Sequence, residues 1–137
     1  MSYGVTKETR VNTLEDSLPI GSIVGRDGML YTRDVATGHV EKGRFEGVCQ
    51  IDEHAEIVEV RLADCSSIRC TPSQNILTIF GWRPACELSS SDKAVSLNGD
   101  IPVIGVTKFP YKVEIFSMSV PEYGSFSVGR SGVIVRC

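Results

Sequence analysis

Thr71-Pro72-Ser73-Gln74-Asn75-Ile76-Leu77-Thr78-Ile79-Phe80-Gly81-Trp82-Arg83-Pro84-Ala85-Cys86-Glu87-Leu88 is the stretch on which the reading of the fold turns. Its apolar run, Ile76 to Phe80, is far too short to span a membrane and stops at Gly81. Pro84-Ala85-Cys86-Glu87-Leu88 then reads as one helical turn. The same grammar runs outward in both directions, with short apolar segments broken by glycine, proline or polar pairs. Gly21-Ser22-Ile23-Val24-Gly25, Glu46-Gly47-Val48-Cys49-Gln50-Ile51 and Ile57-Val58-Glu59-Val60-Arg61-Leu62 are period-two or β-branched segments. So are Ser67-Ile68-Arg69-Cys70-Thr71, Ala94-Val95-Ser96-Leu97, Ile101-Pro102-Val103-Ile104-Gly105-Val106 and Tyr111-Lys112-Val113-Glu114-Ile115-Phe116. Ser119-Val120 and Gly132-Val133-Ile134-Val135 complete the set of expected strands. Turn chemistry falls between them at Asp27-Gly28, Thr37-Gly38, Asn98-Gly99-Asp100 and Pro121-Glu122-Tyr123-Gly124. Leu14-Glu15-Asp16 reads as a second helical turn. There is no long amphipathic helix, repeat, low-complexity run or linker, so the pattern predicts an all-β chain of short, curved strands.

The chain has 137 residues, about one domain's worth, and residues 1–137 are read as a single domain. At that size it buries roughly two-thirds of its unfolded surface without needing staples. Hydrophobic residues at 42% and charged residues at 23% exclude a disordered tail or a coiled coil. Fourteen Lys and Arg against 17 Asp and Glu leave a net charge of −3, so no basic surface recommends nucleic acid or anionic lipid. Neither nucleic acid nor membrane is therefore expected as a partner. Met1-Ser2-Tyr3-Gly4-Val5-Thr6-Lys7-Glu8 lacks a signal-peptide core, which predicts a soluble, intracellular protein. The five cysteines, Cys49, Cys65, Cys70, Cys86 and Cys137, are an odd number with no C-x-x-C pair. They are read as small, partly buried hydrophobes, not as a disulfide framework. Cys49 with His54 and Cys65 with Cys70 have only a loose ligand spacing, so no metal and no cofactor is expected.

The order of these segments resembles the Hint fold shared by inteins, bacterial intein-like domains and the hedgehog autoprocessing domain. Residues 71–78 resemble the intein segment T-P-D-H-P-I-L-T, and Gly81 to Leu88 fit G-W-x-x-A-x-E-L. Ser91-Asp92-Lys93-Ala94-Val95 stands where the family has G-D-x-V. Ile115-Phe116-Ser117-Met118-Ser119-Val120 resembles V-Y-D-L-T-V, and Gly132-Val133-Ile134-Val135-Arg136-Cys137 resembles the closing G-I-L-V-H-N. Glu8-Thr9-Arg10-Val11 fits the D-T-x-V that begins four residues after the family's nucleophile. The resemblance implies a horseshoe of short curved strands with pseudo-two-fold symmetry, both chain ends at one place, and no endonuclease insertion.

In the family, a Cys or Ser at the first position attacks the preceding carbonyl. A histidine assists that acyl shift, and a terminal asparagine later cyclises. Carried over residue by residue, the resemblance puts Gly4 at the nucleophile, where there is nothing to attack with. Ser2 could serve only if two residues were inserted. Thr71 keeps its hydroxyl, but the histidine three residues on is Gln74, whose amide carries no proton near neutral pH. Loss of general acid–base help costs about 10²–10⁴-fold in rate. The aspartate position is Ser117, and a histidine expected a few residues later is replaced near Gly124. The penultimate histidine is Arg136, and the terminal asparagine is Cys137, which has no amide to cyclise. A minority of inteins uses a cysteine at the Ser117 position, but those also need the histidine and asparagine missing here.

The resemblance therefore implies degenerate splice-site positions at Gly4, Thr71, Gln74, Ser117, Arg136 and Cys137, with no catalytic residue. The expected function is a splicing-inactive intein-like domain kept as a structural or protein-binding module. A protein partner or self-assembly, and a phage, prophage or virion setting, go with it. The alternative is residual self-cleavage through Ser2, Ser117 or Cys137, and a third reading is an unrelated β-barrel. His39 and His54 are read as exposed turn residues, Trp82 as a core or rim anchor, and Asp52 to Glu56 as a solvated hairpin tip.

Overall fold

A computed structural model describes residues 3–137; Met1 and Ser2, and with them the alternative nucleophile Ser2, lie outside the described residues. Fourteen strands join in one antiparallel sheet among these residues. In chain order they are β1 (Val5–Thr6), β2 (Arg10–Asn12), β3 (Ser17–Pro19), β4 (Gly28–Arg33), β5 (Val40–Ala55), β6 (Val58–Leu62) and β7 (Ser67–Cys70). There follow β8 (Asn75–Thr78), β9 (Gly81–Pro84), β10 (Lys93–Ser96), β11 (Gly99–Lys108), β12 (Val113–Ser119), β13 (Ser125–Val128) and β14 (Val133–Arg136). Three-residue 3-10 turns at Ile20–Ser22 and Ala85–Glu87 are the helical elements among the described residues.

Two long strands give the molecule its shape. Residues 40–45 of β5 pair with β4, and the rest of the strand pairs with β12. Residues 99–102 of β11 pair with β10, and residues 103–108 pair with β6 across a bulge between Val103 and Gly105. Each long strand thus leaves one partner for another halfway along, and the two crossings correspond as the halves of a pseudo-two-fold do. Gly47, just past the change of partner in β5, holds φ at +64°, a conformation a side chain disfavours. The bulges that interrupt the β12–β5 register bend the sheet further, and the horseshoe closes.

Val5, Leu30, Val60, Ile68, Ile76, Phe126 and Val135 are among the fully buried side chains of the main core, and Ala55, Ile57 and Ile115 form a smaller cluster. Between β4 and β13 the interior is polar but satisfied. Thr32 and Ser125 hydroxyls lie 2.8 Å apart, and Ser127 donates to the Tyr31 carbonyl at 2.6 Å, as buried hydroxyls must. Asp92, the aspartate of the G-D-x-V match, is also structural. It is buried, accepts from the Ser89 amide at 2.9 Å and faces Arg83 at 3.5 Å.

Several expectations need correction. Gly21 to Gly25 is a 3-10 turn and reverse turn instead of a strand, because Ile20 and Ile23 are both buried three residues apart and the backbone must coil to place them on one side. Leu14-Glu15-Asp16 is a bend, held where the Thr13 hydroxyl donates to the Asp16 carbonyl at 2.6 Å. His54 is exposed as expected but lies in β5. Cys49, Cys65 and Cys86 are exposed, leaving only Cys70 buried and Cys137 half-buried. Among the described residues no helix is long and apolar enough to cross a membrane.

Candidate functional site

The four residues between β7 and β8, Thr71 to Gln74, form a turn closed by the Gln74 amide on the Thr71 carbonyl at 3.1 Å. Both ends of the chain dock on it. The Thr71 amide donates to the Gly4 carbonyl at 3.0 Å, where β7 and β12 flank β1. On the other side, β14 pairs with β8 at Val135 and Ile76. There the Gln74 side chain, 1% exposed, donates from Nε2 to the Arg136 carbonyl at 2.7 Å and to the Asn75 carbonyl at 3.1 Å. The turn is braced from outside as well, because the Ala85 amide donates to the Gln74 carbonyl at 2.9 Å and the Cys86 amide to the Pro72 carbonyl at 3.0 Å. Those two amides belong to the helical turn expected from Pro84 to Leu88.

The structure therefore brings Gly4, Thr71, Gln74 and Arg136 to one place. Gly4 is buried, and a Cβ there would lie 3.0 Å from Ile115 Cδ1 and 3.1 Å from the Phe116 carbonyl. Any side chain at this position has to displace its neighbours slightly. Thr71 Oγ1 is buried and has no hydrogen-bond partner, a state that costs an ordinary hydroxyl about 1–3 kcal/mol. Arg136 contributes its main chain to the site, while its side chain is exposed, with the guanidinium carbon 6.0 Å from the Trp82 ring centroid. Trp82 is half-buried at the rim in this way.

Cys137 packs against the main core, and its amide donates to the Gly124 carbonyl at 3.0 Å. Burial pushes its thiol up to about 11, against a smaller lowering from a backbone hydrogen bond at Val120. Ser117 stands on β12 opposite Cys49 of β5, so the two side chains share one face of the sheet. Burial, with Cys86 as a second cause, raises the Cys70 thiol to about 12. Among the described residues no group of three or more His, Cys, Asp or Glu is placed to hold a metal ion.

Three features of this site carry no signal in the sequence. A main-chain carbonyl at Arg136 is an acceptor whatever side chain it bears. The idle Thr71 hydroxyl is known only once its surroundings are. The pairing of Cys49 with Ser117 depends on register across a strand that contains bulges.

No family profile matches the chain, and no curated protein matches its sequence. Solved structures do match. A DnaB intein from Synechocystis sp. PCC 6803 superimposes with a TM-score of 0.89 at 17% identity, covering 99% of each chain. A bacterial intein-like domain from Clostridium thermocellum gives 0.87 at 18% identity over 100% of this chain and 99% of that one. The PabCDC21-1 intein gives 0.86 at 21% identity over 100% and 99%. The chain has the fold of these intein and intein-like structures, all-β and matched from end to end.

Proposed function

We propose that this single domain, without an endonuclease insertion, is a splicing-inactive member of the intein-like group, retained as a structural or protein-binding module. The observation that carries this reading is the use made of Gln74. Both amide hydrogens are engaged, on Arg136 and Asn75, so the residue at the histidine position ties the turn to the last strand and has no proton to give. Gly4 and Cys137 support it from either end. The first is a nucleophile position without a nucleophile, and the second an asparagine position without an amide. Self-cleavage through Cys137 is opposed by its thiol value near 11, which leaves about one thiolate in ten thousand at neutral pH. By analogy with family members in phage and prophage genes, an intracellular virion or assembly component is the setting proposed.

Intact mass spectrometry of the domain between two foreign tags, with and without hydroxylamine, tests the reading. One uncleaved mass over several days is expected. A cleaved or spliced product, or a fragment that hydroxylamine releases from an ester or thioester, would overturn it.

A further inference from the structure

The β8–β9 hairpin breaks the usual chemistry of a tight turn. Its two-residue tip, between the Thr78 and Gly81 pair, is Ile79-Phe80, 45% and 75% exposed. Such tips favour Asn, Asp or Gly. The hairpin does not need the phenyl ring for its own geometry. Thr78 Oγ1 accepts from the Phe80 amide at 3.1 Å and donates to the Gly81 carbonyl at 2.8 Å, with Gly81 at φ +101°. The β10–β11 hairpin is built the same way. There Ser96 Oγ accepts from the Asn98 amide at 3.2 Å and donates to the Gly99 carbonyl at 2.6 Å, with Gly99 at φ +125°. Asn98 thus occupies the place that Phe80 has in the first hairpin. The molecule itself contains the polar version of the turn, so the exposed ring has another use.

Beside the tip lies a hollow of about 310 Å³. Val35, Leu77, Ile79 and Val95 form its apolar wall, Asp34 is at its margin, and Phe80 stands next to it without lining it. A hollow of about 150 Å³ already accepts a benzene-sized group. Arg33 and Asp34 both line the hollow, the Arg33 guanidinium being held by the Ser96, Gly38 and Leu97 carbonyls, and exposed Lys93 lies beside Ile79 in the β8–β10 register. Lys93 is joined to the tip through its carbonyl, which accepts from the Ile79 amide at 3.1 Å. A projecting ring next to a hollow that fits it, with both signs of charge nearby, is a self-complementary surface, which a two-fold axis satisfies twice.

We infer that this face is a self-association surface whose occupant is a second copy of the chain, each Phe80 seated in the hollow of the other and each Lys93 facing the other's Asp34. The inference rests on the reading of the domain as a binding module and names its partner. Because the Thr78 hydroxyl already fixes the tip, little order is lost on docking, and a buried aromatic anchor carries most of the affinity.

Sedimentation velocity of the full chain, from micromolar to submillimolar concentration, reads the association directly. A dimer is expected, and Phe80→Asn, which copies the Asn98 hairpin, weakens it roughly thirtyfold or more while leaving the melting temperature unchanged at concentrations low enough for both chains to be monomeric. Lys93→Glu and Asp34→Lys each weaken the dimer, and the two together restore part of it. A parent chain that stays monomeric throughout, or a Phe80→Asn dimer as tight as the parent, overturns the inference. Neither result touches the splicing-inactive reading, which falls only to a cleaved mass from the tagged chain.

Discussion

Replacing Gln74 by Leu removes both side-chain donors from the turn that holds the chain ends together, at nearly constant length. The structure gives two hydrogen bonds to lose, at 2.7 and 3.1 Å, on a side chain that is 1% exposed. At a net contribution of about 1 kcal/mol for each bond, the loss is about 2 kcal/mol. For 137 residues, an unfolding entropy of about 2.1 cal/mol/K per residue makes that a fall of about 7 °C in melting temperature. Gln74→Glu sharpens the test, because its shape is conserved while its charged form can only accept. Two carbonyls facing a buried carboxylate raise its folded pKa above the unfolded value of about 4.3. An acid whose pKa is raised by folding costs stability as pH climbs past the unfolded value. At acid pH the protonated Glu keeps one O–H donor for the two carbonyls, so the Glu variant is expected to fall between parent and Leu variant there and to weaken progressively toward neutrality, while the Leu variant differs from the parent by a constant amount. Thermal melts followed by circular dichroism, at several pH values, measure both. A Leu variant within about 1 °C of the parent would refute the assignment of Gln74 as a tie.

Gly4→Cys, which puts a thiol at the position proposed for the nucleophile, is expected to cost about 1 kcal/mol, because its Cβ meets Ile115 Cδ1 at 3.0 Å. Ile115→Val in the same chain recovers part of that loss, and a double-mutant cycle by urea denaturation reads the coupling. Cys70 makes stability pH-dependent on the alkaline side. Its folded thiol keeps its proton to about 12 against an ordinary 9.0, so its contribution is whole below 9.0 and is lost as pH rises toward 12. Urea midpoints measured in that range should fall less steeply for Cys70→Val. Mild alkylation near pH 8, followed by peptide mass mapping, should label exposed Cys49, Cys65 and Cys86 well before Cys70 and Cys137. Early labelling of Cys137 would contradict its placement against the core.

The legible part of the fold is where sequence and backbone share a period. Val58 to Leu62 alternates between buried and more exposed positions, and the helical turn after Pro84 ends where its pattern ends. The illegible part is where burial and polarity part company. Ser125 to Val128 is buried at every position, yet its two serines read as turn residues, and only their hydroxyl partners on β4 explain why they are inside. Gly28–Arg33 was hidden by the turn chemistry of Asp27-Gly28, although Leu30 and Thr32 alternate inward as a strand requires. At the site, the identities of Gly4, Gln74, Arg136 and Cys137 were readable one by one. What they do for each other was not, because the link runs through main-chain carbonyls. Register and proximity are properties of the closed sheet, and no local pattern encodes them.

The two long strands that change partners have a consequence for how the domain comes apart. β5 belongs to the β4 hairpin at one end and to β12 at the other, and β11 is divided in the same way between β10 and β6. Neither half can therefore open and leave the other with a complete set of strands. Native-state hydrogen exchange would be expected to find one cooperative unit, with the amides of β5 and β11 opening together at the global free energy. Symmetry in such a molecule does not divide it into two foldons; sharing the strands binds the halves to a single fate.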